Sequence, residues 1–362
     1  MRRLCLLPFF VVPLAVLVHT ERTQASDANT PMRGVLVISE RVTPGFLAGW
    51  KARGVSEVIV PLEESSRQGW GSLAKTVAQA EMHLWPWIEV ARNPAMADRH
   101  PDWIAALGGH HDDWRRRFPN APAAKKGEVI KAWPWVPIGY LPAFEAHRER
   151  LRSLLSDLPG AWTGVFLNDL QAGPSSCGCG NDQCRWVLDY GSPATTAKTP
   201  GDDAAARIVS ELAARHAGKQ VVPVWVTECE MADLPNTKNG TGFCGNVPCA
   251  TGSCWPGYAR NWNPLVRSTG GPIALGLWTE TFQRDPLDWI GTGIGLFQAP
   301  PRGGTPLPAK RVIAVVQAWQ KSDPKRDQLI DALKRTDAGW VLALDKVDQS
   351  WEPRAVSVPL PP

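Results

Sequence analysis

The chain has 362 residues, of which 44% are hydrophobic and 20% are charged, with a formal net charge of +4. This composition is typical of a folded globular protein and argues against a disordered chain. Its longest basic run, residues 115–117, is too short to indicate nucleic-acid binding, and no basic amphipathic helix indicates binding to a membrane surface. We therefore expect no nucleic-acid partner and, after signal cleavage, no membrane partner.

The first 25 residues have the pattern of a signal peptide. Arg2 and Arg3 precede an apolar run over residues 4–18, and a small-residue cleavage site ends at Ala25. A membrane anchor is the alternative, but the run is shorter than the ~20 residues that cross the hydrocarbon core. We predict a secreted or periplasmic protein whose mature chain, residues 26–362, is a single domain.

The mature chain alternates short apolar runs with helical patterns. Eight runs predict buried strands, at residues 34–38, 58–60, 84–90, 164–167, 221–226, 273–277, 293–297 and 340–344. Helices are predicted after Thr43 and Pro44 and over residues 72–81, 142–155, 202–216, 309–319 and 324–334. A doubly wound sheet is the competing fold, but no glycine-rich phosphate fingerprint follows the first strand. We predict an α/β fold of the (β/α)₈ TIM-barrel type.

Carboxylates follow several of these strands. Because the loops after barrel strands converge on one face, these acids are expected at a common rim. Glycoside hydrolysis needs such a set, since one carboxyl group protonates the leaving oxygen while another attacks the sugar or activates water. The candidate catalytic residues are Asp169, Glu228 and Glu280, and the candidate substrate-binding residues are Asn168, Trp278 and Glu89. The alternative is that these acids form ion pairs with bases such as Arg92 or Arg260.

One segment resembles a known group of proteins. Residues 166–169 (Phe-Leu-Asn-Asp), followed by the Cys-x-Cys…Cys pattern of residues 177–184, are similar to the strand-four region of secreted glycoside-hydrolase-like (β/α)₈ barrel proteins. Their relatives among the β-galactosidases have Asn-Glu at this point, with the Glu as proton donor, and hold a structural zinc with cysteines of the loop. Here Asp169 stands in place of that Glu. The resemblance implies a site at Asp169.

The α-amylase layout is a second resemblance. It implies a nucleophilic Asp after strand four and a proton-donating Glu after strand five, which Asp169 and Glu228 match. Leu167 stands where that layout has an arginine. The roles of the individual acids therefore stay open.

Seven cysteines remain in the mature chain, and all fall in the loops after predicted strands four and five. They are Cys177, Cys179, Cys184, Cys229, Cys244, Cys249 and Cys254. Oxidation in an exported protein would give three disulfides and one free thiol. The alternative is a structural zinc bound by the first three cysteines and a fourth. In both cases we expect the cysteines to cross-link long loops over the site. No other cofactor is expected.

These features together predict an exported glycoside hydrolase that acts on a poly- or oligosaccharide. The 18 Trp residues, against 9 Phe and 3 Tyr, also favour a carbohydrate ligand, because the indole ring packs against sugar rings. The alternative is a non-catalytic carbohydrate-binding or structural barrel, since Asp169 replaces the Glu of the β-galactosidases. The sequence does not determine the oligomeric state.

Overall fold

A closed barrel of parallel strands forms the core of the protein. Its strands, in order around the barrel, are β1 (Arg33–Leu36), β2 (Glu57–Pro61), β3 (His83–Glu89), β5 (Gly164–Asn168), β6 (Gln220–Trp225), β7 (Ile273–Leu277), β8 (Val312–Gln317) and β9 (Gly339–Ala343). The barrel closes where β9 pairs in parallel with β1. The predicted (β/α)₈ barrel is confirmed.

In this computed structural model, the described residues are 31–104, 120–123, 125–170, 204–225, 265–267, 269–277, 287, 290–299, 305–347 and 354–359. They belong to one compact unit that begins at Pro31. The predicted signal peptide, the seven cysteines of the mature chain and the candidates Glu228, Trp278 and Glu280 lie outside the described residues.

Helices connect the barrel strands. They are α1 (Pro44–Ala52), α2 (Trp70–Gln79), α3 (Pro94–Arg99), α4 (Leu141–Leu155), α5 (Ala204–Arg215), α6 (Ile290–Gln298) and α7 (Asp323–Lys334). The start of α1 is the predicted one, because the Thr43 side chain accepts a hydrogen bond from the Phe46 N–H and Pro44 occupies the first turn. Among the described helices, none is long and apolar enough to cross a membrane.

Two predicted elements are wrong, and they are neighbours in the chain. The predicted strand at 293–297 lies within α6, where Ile290 and Ile294 are buried one helical turn apart. The predicted helix at 309–319 contains β8 instead. Four of the six residues of β8 are β-branched, which favours a buried strand. Strand β8 thus takes the seventh position of the barrel.

Aromatic side chains fill much of the barrel interior. Trp85 and Trp87 pack against Phe166, with ring centroids 5.5 and 5.8 Å apart. Gly164 makes room for this packing, because a Cβ there would lie 2.4 Å from a Trp85 ring carbon. The same apolar cluster includes Leu36, Ile59, Val222, Val224, Ala274, Ile313, Val315, Val341 and Ala343, which alternate with residues packed against the helices. The barrel is therefore a packed core with its site at one end, as is general for this fold.

A small second sheet lies outside the barrel and joins the long connection between β3 and β5 to the segment after β9. It consists of β4 (Glu128–Trp133) and β10 (Arg354–Pro359), which pair in antiparallel orientation. The segment after β4 returns to the barrel: the backbone of Trp135 bridges to Arg92, and the Val136 N–H donates to the Ala91 carbonyl at 2.8 Å. The second sheet is thereby joined to the loop that follows β3.

Candidate functional site

Glu89 is the last residue of β3 and lies at the carboxyl end of the barrel. Its carboxylate accepts a hydrogen bond from the Trp87 indole N–H at 2.8 Å. The Asn168 amide donates to both carboxylate oxygens, at 3.0 and 2.9 Å. Trp87 and Asn168 are 1% and 2% exposed, so two rigid neutral side chains fix the carboxylate. The site that results is preorganised rather than dependent on mobile surface groups.

Asn168 ends β5, where it pairs with Glu89 on the neighbouring strand, and Asp169 follows it. Asp169 has a φ of 53°, in the left-handed region that most residues avoid and that Asp and Asn tolerate best. Its carboxylate is hydrogen-bonded and ion-paired to the Arg92 Nε. Strained backbone at a strand end is a recurrent feature of functional sites. The ion pair is the alternative that the sequence left open for Asp169.

Arg92 joins the two carboxylates. Besides its contact with Asp169, its Nη2 lies 3.9 Å from the Glu89 Oε2. The guanidinium also lies over the Trp135 ring, 5.5 Å from its centroid. The cluster can hold polar groups of a ligand and can transfer protons.

A cleft of about 200 Å³ opens beside Glu89. Glu89, Trp87 and Arg92 line it, together with Pro61, Leu62, Glu63, Glu64, Asn93, Pro94, Ala95, Arg150 and Val347. Arg150 extends from α4, donates to the Glu89 carbonyl oxygen at 2.9 Å and contacts the Glu64 carboxylate at 2.9 Å. A helix of the outer layer thereby braces the loops after β2 and β3.

The structure places some predicted residues together and adds others. Glu89, Asn168 and Asp169 form one cluster, as their positions at the ends of neighbouring strands predict. Asp345, which follows β9, was missed in the sequence: it contacts Arg41 at 2.6 Å and accepts a hydrogen bond from the Ile38 N–H. The rule that selects acids after strands would have found it. Arg150 was missed as well, because a base within a helix pattern gives no such signal.

No metal site is apparent in the part of the chain that the structure describes, since no three His, Cys, Asp or Glu residues there are placed to share an ion. The zinc alternative concerns the cysteines, which lie outside the described residues.

No protein-family model matches the chain, and no curated protein matches it. Among solved structures, a GH36 α-galactosidase from Geobacillus stearothermophilus is 13% identical with a TM-score of 0.43, over 88% of this chain and 40% of that one. A GH5_18 structure from Streptomyces cattleya in complex with GlcNAc is 12% identical with a TM-score of 0.39, over 92% and 74%. A sugar phosphate isomerase/epimerase from Parabacteroides distasonis is 9% identical with a TM-score of 0.38, over 89% and 90%.

This chain therefore spans less than half the length of that α-galactosidase. Similarities at this level do not bear on activity. The barrel is assigned from its own strand order and closure.

Proposed function

We propose that this protein is an exported glycoside hydrolase that acts on a poly- or oligosaccharide. The observation that carries the proposal is the pair of carboxylates, Glu89 and Asp169, which share the Arg92 guanidinium at the carboxyl end of the barrel. The adjoining cleft offers carboxylate and guanidinium groups to a polar ligand. Such groups suit sugars, whose hydroxyl groups form hydrogen bonds with them and whose glycosidic bonds are cleaved by paired carboxyl groups.

The proposal assigns different chemistry to the acids. Asp169 is engaged by the Arg92 guanidinium, so the proposal does not assign it the role of proton donor. Glu228 and Glu280 are then the candidates for the proton donor, and Trp278 for a sugar-stacking residue. Asn168 contributes by holding Glu89.

A second candidate function is a carbohydrate-binding barrel without catalysis. It is favoured by the pairing of Asp169 with Arg92, because acids that support a fold form such ion pairs.

A glycan panel distinguishes these functions when turnover and binding are measured separately on the mature chain. We expect at least one glycan to be hydrolysed. Binding without hydrolysis would favour the second candidate, and the absence of both would contradict both proposals.

Export is proposed from the first 25 residues. The protein recovered from the medium or periplasm should begin at Ser26, as measured by N-terminal sequencing. Retention of the intact N-terminus on a cytoplasmic protein would contradict it.

A further inference from the structure

Two glutamates occupy opposite ends of the barrel interior in similar surroundings. At the amino-terminal end, Glu57 is 5% exposed, and it contacts the Trp85 indole N–H and the His83 imidazole. At the carboxyl end, Glu89 is held by an indole and an amide, but its side chain is 13% exposed and lines the cleft. Glu57 is therefore buried away from solvent, whereas Glu89 is accessible to a ligand in the cleft.

The two carboxylates at the carboxyl end also differ. Glu89 borders the cleft of about 200 Å³, and Asp169 is not among the residues that line it. Asp169 holds the Arg92 Nε in direct contact, while the same guanidinium stays 3.9 Å from Glu89. A direct Arg contact would stabilise the ionised form of Glu89 and weaken it as a base. Asp169 therefore binds the Arg92 guanidinium more closely than Glu89 does.

We propose that Glu89 is the catalytic base of the site and that Asp169, acting through Arg92, is a positioning residue. The assignment rests on the proposed function. Glu89 takes a proton from a water molecule while the water oxygen bonds to the anomeric carbon and the glycosidic C–O bond breaks. The departing oxygen receives a proton from a second carboxylic acid of the protein.

Among the described residues, charged groups near Glu89 follow β2, β3 and β5 or belong to α4. Arg92 follows β3 and Asp169 follows β5, while Glu63 and Glu64 follow β2 and line the same cleft. From α4, Arg150 contacts the backbone carbonyl of Glu89. The pH dependence of turnover depends on these charged groups. A change in the pairing of Arg92 is the most direct way to alter that pH dependence.

The first test compares Glu89→Gln with Glu57→Gln, the same substitution at the opposite end of the barrel. Using a substrate found in the glycan panel, we expect kcat/KM of Glu89→Gln to fall about 10²–10⁴-fold, the usual contribution of a general base. Glu57→Gln should lower the melting temperature but keep turnover per folded molecule within a few-fold. If Glu89→Gln does not fold, Glu89→Asp can be used in the same test. This variant keeps the negative charge but moves the carboxylate back by one methylene group.

Azide provides a readout that a structural role would not alter. In Glu89→Ala, azide can attack the anomeric carbon without a base, so turnover should recover with a glycosyl azide as product. Glu57→Ala should show no such recovery. Wild-type-like turnover in Glu89→Gln, or no azide recovery in a folded Glu89→Ala, would overturn the assignment of Glu89.

The second test concerns Asp169. In Asp169→Asn, the Arg92 guanidinium can approach Glu89 more closely than the present 3.9 Å, so the acidic limb of the pH–rate profile should move to lower pH as kcat falls. An unchanged profile would overturn the positioning role. A wild type that hydrolyses no glycan overturns the proposed function and this inference together, whereas hydrolysis that survives Glu89→Gln overturns only the inference.

Discussion

Asp169 combines an unusual backbone conformation with a partly buried ion pair. Replacing it with Asn should preserve the backbone, since Asn also tolerates a φ of 53°. The lost charge leaves the Arg92 guanidinium, whose side chain is 16% exposed, without this partner. We expect the free energy of unfolding to fall by ~1–3 kcal/mol, as measured by urea unfolding.

Asp323 provides the matched control for that substitution. It also pairs with arginines, Arg53 and Arg326, but its side chain is 61% exposed. Asp323→Asn should change the free energy of unfolding by no more than ~0.5 kcal/mol. Equal losses in the two variants would show that burial of the Asp169 pair is irrelevant to stability.

His147 is buried in α4 and gives a prediction about pH. Burial lowers the pKa of His147 to about 4, while its Nε2 lies 2.9 Å from the Val136 carbonyl oxygen. Between about pH 6.5 and 4 the unfolded chain binds a proton here that the folded chain does not, so stability falls as the pH falls.

The comparison with His147→Gln isolates this effect, because Gln does not titrate. Between pH 7 and 4.5 we expect wild type to lose about 2–3 kcal/mol more than the variant, by urea unfolding at each pH. Parallel losses in the two proteins would contradict a buried neutral histidine.

At the scale of the elements, β10 supports the rim through β4. Arg354 lies over the Trp133 ring, 4.2 Å from its centroid, and Val358 is buried. Removing residues 354–362 should leave one edge of β4 unpaired. We expect faster hydrogen exchange at residues 128–133 and a lower melting temperature, with residues 164–168 in the barrel unaffected. Unchanged exchange in β4 would contradict this dependence.

The sequence predicts most barrel strands but not the boundary between α6 and β8. Both are short apolar segments, and such runs have no periodicity that separates a helix from a buried strand. The decisive features are local: Ile290 and Ile294 share a helical face, whereas β8 is rich in β-branched residues. The rim residues Glu89, Asn168 and Asp169 are predictable from strand ends. Their pairing with Arg92 is not, because it depends on side-chain reach across the connection after β3.

For the whole molecule, the cysteine count separates the two interpretations of the loops after the fourth and fifth barrel strands. The mature chain has seven cysteines, so three disulfides would leave about one free thiol in denatured, unreduced protein. A thiol assay with metal analysis measures both quantities. Seven free thiols with one equivalent of zinc would contradict the disulfide interpretation and support the metal site.

Because β1 pairs with β9, the barrel cannot close until the last of its strands has been synthesised. The Ile38 N–H donates to the Asp345 carboxylate across 307 residues of sequence, next to the pairing of β1 with β9. At ~5–20 residues per second, ribosomes take roughly 15–60 s to synthesise the ~300 residues between these strands. Throughout that interval one edge of β1 has no barrel neighbour, which is a hazard for intermolecular pairing. Time spent as an open sheet, more than final stability, is then expected to limit the yield of folded protein.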